Sequence, residues 1–149
     1  MIWKAVNDKI LFKVEEIKKQ NIFSSDDLGN LRKGVVLSIG ENVKEVLILS
    51  EIILPFQDIT YLEDSTGICS ERNVISVNNK PIHNKLEVKL LPKENEFGKM
   101  LEGEIIKTPL NTEKDFKIGD IIKFKMNTYF VLPNNNVLLS EDKVFMKKD

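Results

Sequence analysis

"KAVNDKILFKV", Lys4 to Val14, returns as "KPIHNKLEVKL", Lys80 to Leu90, 76 positions further along the chain. Lysines match at Lys4/Lys80, Lys9/Lys85 and Lys13/Lys89, with apolar residues falling on apolar ones between them. That agreement exceeds the period-2 alternation that any two strands share. A second block follows in each half, "KGVVLSIG" from Lys33 and "EGEIIKTP" from Glu102, with Gly34 and Gly103 69 apart. A third closes each half, "CSERNVISV" from Cys69 and "LSEDKVFMK" from Leu139, where Ser70-Glu71 and Ser140-Glu141 lie 70 apart and Val74 stands opposite Val144. Three blocks in one order at a nearly constant offset describe two copies of one unit, residues 1–78 and 79–149. Lys9 to Gly34 spans 25 positions but Lys85 to Gly103 only 18, so the first copy carries seven extra residues. They fall within "EEIKKQNIFSSDDLGNLRKG", Glu15 to Gly34, a loop over residues 16–33.

Within each copy the pattern predicts short strands and almost no helix. The first half offers Lys9–Glu15, Val35–Ile39, Val46–Leu49, Ile52–Leu54, Ile59–Leu62 and Val74–Val77. The second offers Lys85–Leu91, Glu104–Lys107, Asp120–Lys125, Thr128–Leu132, Val137–Leu139 and Lys143–Met146. Ile, Val and Phe dominate these runs, and "GEN", "EDSTG" and "LPNNN" supply turns between them. Ser24 or Ser25 could cap a single helical turn in "SSDDLGN". The expected class is all-β, two tandem small β-barrels, each marginal enough alone to gain from packing on its counterpart.

Composition narrows the function classes. With 22 Lys+Arg against 23 Asp+Glu, interspersed, the chain has no electrostatic footprint for nucleic acid or an anionic membrane. No apolar run approaches the length of a membrane span, and no signal or transit segment is expected before the first strand. A lone Cys69 gives neither a disulfide framework nor a cysteine metal cluster, so the expected setting is a reducing cytoplasm. No nucleophile–base spacing, phosphate-cradling glycine loop or metal signature is present, so neither an enzyme nor a cofactor is expected. His83 reads as a polar strand-edge position and Cys69 as a core residue. Glu15-Glu16 and Asp26-Asp27 read as a solvated strand end and a cap.

The blocks resemble the GroES-type co-chaperonins. Their opening motif, P-[LI]-x-[DN]-[RK]-[VL]-x-[VL]-[KR], is matched by Pro81-Ile82-His83-Asn84-Lys85-Leu86-Glu87-Val88-Lys89. The family's Gly-[EV]-[VI] strand is similar to Gly103-Glu104-Ile105 and Gly34-Val35-Val36, and its V-G-D-x-[VI]-x-[FY] to Ile118-Gly119-Asp120-Ile121-Ile122-Lys123-Phe124. Val137 to Phe145 resembles the family's ending. The second copy is covered almost end to end, whereas the first has Ala5 for the motif's proline and "SEIILPF" where a Gly-Asp is expected.

The resemblance implies small, irregular barrels that assemble with copies of themselves and dock on a ring chaperonin through a mobile loop. That loop carries a short apolar tip about a dozen residues before the strand glycine, where this chain has Asn21, Ile22 and Phe23. The alternative for Ile22 and Phe23 is that both tuck back onto the barrel. In the family, terminal strands of neighbouring subunits pair around a ring, which implies a subunit joint at Ile2 and Trp3; packing within the chain is the other reading. A rival class is a structural protein of a phage or virus particle, built from the same barrels and found in the virion.

Overall fold

The computed structural model describes residues 3–15, 30–92, 100–109 and 116–148. Among them the chain is all-β, broken only by single 3-10 turns, and it separates into two compact units, one ending at Asn79 and the next starting at Lys80. The first unit contains β1 (Lys9–Glu15), β2 (Leu31–Ile39), β3 (Glu51–Pro55), β4 (Thr60–Tyr61), β5 (Thr66–Ser70) and β6 (Ser76–Val77). Within it the strand order is β4-β5-β1-β2-β3-β6, every described pairing antiparallel. The second unit opens with the two-residue β7 (Lys80–Pro81). It continues through β8 (Lys85–Leu90), β9 (Met100–Lys107), β10 (Ile121–Lys125), β11 (Tyr129–Val131), β12 (Val137–Ser140) and β13 (Val144–Lys147). Its order is β11-β12-β8-β9-β10-β13. Counted in chain order from β1 and from β8, the two sheets have one and the same sequence of strands.

The match extends to register. Val14 pairs with Gly34 and Leu90 with Gly103, and a β-bulge interrupts the ladder at Leu11/Phe12 and again at the equivalent Glu87/Val88. Ile52 lies beside Gly34 and Ile122 beside Gly103. Both glycines are there for one reason: a Cβ at Gly34 would overlap the Phe12 ring, and one at Gly103 would overlap the Val88 side chain.

Alternation on the paired strands sends one residue in two inward. In the second unit Leu86, Val88, Ile105, Ile122, Phe124, Val137 and Leu139 form a contiguous core, with Phe116, Tyr129 and Val144 packed against it. Phe124 and Tyr129 meet edge to face, 5.7 Å between centroids. Ile10, Phe12, Val36, Ile52, Leu54 and Cys69 occupy the corresponding buried positions in the first unit. The large ring has changed places: Phe12, Leu54 and Gly67 in one core stand where Val88, Phe124 and Val137 stand in the other. The Phe12 ring lies within 3.1 Å of where a Gly67 Cβ would be, so the missing side chain on β5 makes room for the extra one on β1.

Two sequence expectations change. Val46–Leu49 is no strand; Val46 is buried, but Leu47 to Ser50 is a tight turn closed by the Ser50 N–H donating to the Leu47 carbonyl at 3.1 Å. Strand propensity misleads there because three aliphatic residues sit on a connection rather than in a ladder. Conversely, Thr66–Ser70 forms β5, a strand the sequence pattern does not predict because Gly67 and Ser70 dilute its apolar alternation. The helical turn expected near Ser24 and Ser25 lies outside the described residues.

Candidate partner-docking site

The two connections that leave the first strand of each unit differ most. Glu15 pairs with Lys33 at the base of the first, which spans residues 16–30. In the second unit the Leu91 N–H donates to the Glu102 carbonyl at 2.9 Å, and residues 92–99 complete the connection, seven fewer. Because β1 and β2 are adjacent antiparallel neighbours, the longer segment begins and ends on one strand pair, so extra length there disturbs no other pairing. Asn21, Ile22 and Phe23 fall on this segment and lie outside the described residues, as does Ile2.

What holds the base of each first strand is duplicated chemistry. The Lys9 ammonium donates to the Ser70 hydroxyl at 2.7 Å, and Lys85 to Ser140 at 2.6 Å. The Glu71 N–H donates to the Asp8 carbonyl at 2.9 Å, and the Glu141 N–H to Asn84 at 2.8 Å. Asn7 and His83 take the same left-handed backbone, each with φ 58°, in the turn that precedes these strands. His83 is thus a half-buried turn residue. Burial lowers the Lys85 ammonium pKa below its usual range, and Asp142 partly offsets this. The Lys–Ser pairs recur at corresponding places in both copies, which marks them as clamps on the strand ends.

Trp3 is 77% exposed and forms one wall of an open groove of about 1100 Å³. Tyr61 and Leu62 line the groove with it; Leu11 and Ile68 also face it, and Glu63 and Asp64 stand among its polar lining residues. The positions corresponding to Leu11 and Ile68 in the second unit are Glu87 and Leu138, which are both buried. Glu87 there accepts from the Asn136 amide at 3.0 Å and lies 3.9 Å from the Lys107 ammonium.

The apolar turn after Val46 is exposed, which strand propensity does not predict. Leu47, Ile48 and Leu49 are 70%, 56% and 75% exposed, and Leu49 has φ 72°. The matching turn of the second unit is Lys117-Ile118-Gly119, with Gly119 at φ 96° and the same hydrogen bonds: Leu49 to Val36 and Gly119 to Ile105, both 2.8 Å. The signal was present as Leu49-Ser50 standing 70 positions before Gly119-Asp120.

Cys69 is a buried thiol pushed up to about 12, by burial first and by the nearby Asp58 carboxylate second. No helix among the described residues is long and apolar enough to cross a membrane. No protein-family model matches this chain, and no characterised protein matches it either.

Proposed function

We propose that this chain is a tandem co-chaperonin-like protein that docks on a ring chaperonin through Asn21, Ile22 and Phe23 and assists folding without catalysing a reaction. The observation that carries the reading is the β1–β2 connection of the first unit, lengthened on a strand pair that its counterpart closes with seven fewer residues. Burying Ile22 and Phe23 would contribute roughly 1.5 to 3 kcal/mol each. Ordering loop backbone costs about 1 to 2 kcal/mol per residue, so a single loop binds weakly. Several loops presented by an assembly of copies bind through effective concentration and still release. Ile2 and Trp3 belong to the joint between copies, and the Trp3 groove supports this because Leu11 and Ile68 face it where the second unit has the buried Glu87 and Leu138 at the corresponding positions. The working compartment is the cytoplasm of the cell in which the chain is made.

Mixing the protein with a double-ring chaperonin and nucleotide tests the reading. A cap seen by native mass spectrometry or negative-stain imaging, lost on Ile22→Ser with Phe23→Ser, is the expected result. No cap with any ring chaperonin would overturn it. The second reading, a structural component of a phage or virus particle, is favoured by the short connection of the second unit, and stoichiometric recovery from purified virions is its test.

A further inference from the structure

We infer that the Trp3 groove of the first unit binds an extended segment of a partner protein that carries an arginine between apolar residues. Hydrogen bonds within the unit fix the walls of this groove. The Ala5 N–H donates to the Ser38 hydroxyl at 3.1 Å and Ala5 is buried, which ties the segment bearing Trp3 to β2. The turn after β4 closes with the Leu62 N–H donating to the Thr66 carbonyl at 2.8 Å. That turn is tied to β1 in its own right, the Val14 N–H donating to the Ser65 carbonyl at 2.8 Å. Leu11 and Ile68, cross-strand partners on β1 and β5, supply apolar surface. A site held this way needs little ordering when a ligand arrives. In the second unit the corresponding positions, Glu87 and Leu138, are buried, and the Asn136 amide donates to the Glu87 carboxylate. The shared fold therefore does not require the groove.

Chemistry selects the occupant. Trp3 and Tyr61 both line the groove and are exposed, and the faces of such rings attract cations. Two carboxylates, Glu63 and Asp64, stand in the lining against one ammonium, Lys4. Neither carboxylate forms a salt bridge among the described residues. A guanidinium answers both features at once, because it stacks on aromatic rings and offers paired donors to a carboxylate, which an ammonium does not. Its aliphatic stem lies on apolar surface while the charged head stays at the acidic end. At about 1100 Å³ the groove exceeds the roughly 300–1,000 Å³ pockets of drug-sized ligands, so one side chain does not fill it. Apolar residues flanking the arginine cover Leu11 and Ile68. Tyr61 belongs to β4, which ends its sheet, an edge along which an extended chain pairs. A joint between copies at Trp3 uses the same surface, so the segment binds a chain whose groove is open and competes with that joint. The inference does not rest on the chaperonin reading.

Trp3 is the single tryptophan, so its emission reports the groove directly. The full chain, at a concentration where sedimentation velocity shows single chains, is titrated with a capped pentapeptide holding arginine between two leucines. A saturable blue shift is expected. Replacing the arginine with norleucine should remove most of the affinity, and replacing it with lysine should weaken binding severalfold. Glu63→Gln with Asp64→Asn keeps a residue suited to the left-handed backbone at position 64, where φ is 60°. That variant, its folding confirmed by circular dichroism, should bind the arginine peptide about fivefold more weakly and the norleucine peptide as before. Emission unchanged at millimolar peptide, equal binding of the arginine and norleucine peptides, or an unaltered affinity of the double variant would overturn the inference. Copies that join through Trp3 in a chain that ignores the peptide would leave the joint standing and this inference lost.

Discussion

Leu49 and Gly119 do the same backbone job with different side chains, which makes the pair a measurement of strain. A left-handed L-residue costs on the order of 1–2 kcal/mol, while glycine gives back roughly 0.5–1 kcal/mol in unfolded-state entropy. Leu49→Gly should therefore leave stability unchanged or raise it by up to about 1 kcal/mol, read from the urea unfolding midpoint. Gly34 is the opposite case: Gly34→Ala drives a methyl into the Phe12 ring and should lower the midpoint markedly. Cys69 carries a pH signature. Its thiol is held at about 12 in the folded chain, against 9.0 for a free thiol, so the unfolded chain ionises first as pH rises. The neutral-thiol contribution is complete below about pH 9 and is lost progressively between pH 9 and 12, at up to about 1.4 kcal/mol per pH unit. Lys85 acts in the other sense: its lowered pKa makes its contribution greatest at high pH and lost as pH falls through the folded value. Comparing unfolding midpoints of the unmodified chain and Cys69→Ala from pH 7 to 10.5 isolates the thiol: the variant should lose less stability above pH 9.

At the scale of elements, the two units solve one packing problem with the bulk in different places. Phe12 on β1 sits over the bare backbone of Gly67, and Phe124 on β10 sits beside Val88 and Val137. Phe12→Val should cost roughly 2 to 4 kcal/mol, the transfer energy of the lost carbons plus the cavity left behind. Adding Leu54→Phe, which puts a ring where Phe124 stands in the second unit, should recover part of that loss in guanidinium unfolding, whereas Gly67→Val should not, because a Cβ at Gly67 would meet the Ile59 side chain. Much of this level was readable beforehand. Lys9/Lys85 and Ser70/Ser140 were aligned as letters and prove to be hydrogen-bonded pairs; Cys69 was aligned with Leu139 and is a core residue. Strand β5 was not readable, since Thr66-Gly67-Ile68-Cys69-Ser70 owes its conformation to pairing with β1 rather than to its own pattern.

Across the whole molecule, charge is divided unevenly. Residues 1–79 hold nine basic and twelve acidic side chains, and residues 80–149 thirteen and eleven. Opposite net charges on the two halves favour association in which the first unit of one copy meets the second unit of another. Self-association should accordingly weaken as sodium chloride rises from 50 to 500 mM, where the screening length falls to a few ångströms, and light scattering across that series measures it. Trp3, the single tryptophan, offers a second readout: exposed in the chain, its emission should shift to the blue if the amino-terminal joint forms.

The all-β class, the duplication, its 76- and 69-residue offsets and the seven-residue insertion all came from the order of residues alone. Each is written in local chemistry: alternation, turn residues and a glycine at Gly34 and Gly103 where a neighbouring strand's side chain fills the place of a Cβ. Three-dimensional packing settled the rest. Leu47-Ile48-Leu49 reads as strand until the ladder is seen to bypass it, and Leu11 with Ile68 lines an open groove while Glu87 with Leu138 is buried at matching positions. Exposure is a property of what distant segments cover, and no window of sequence contains it.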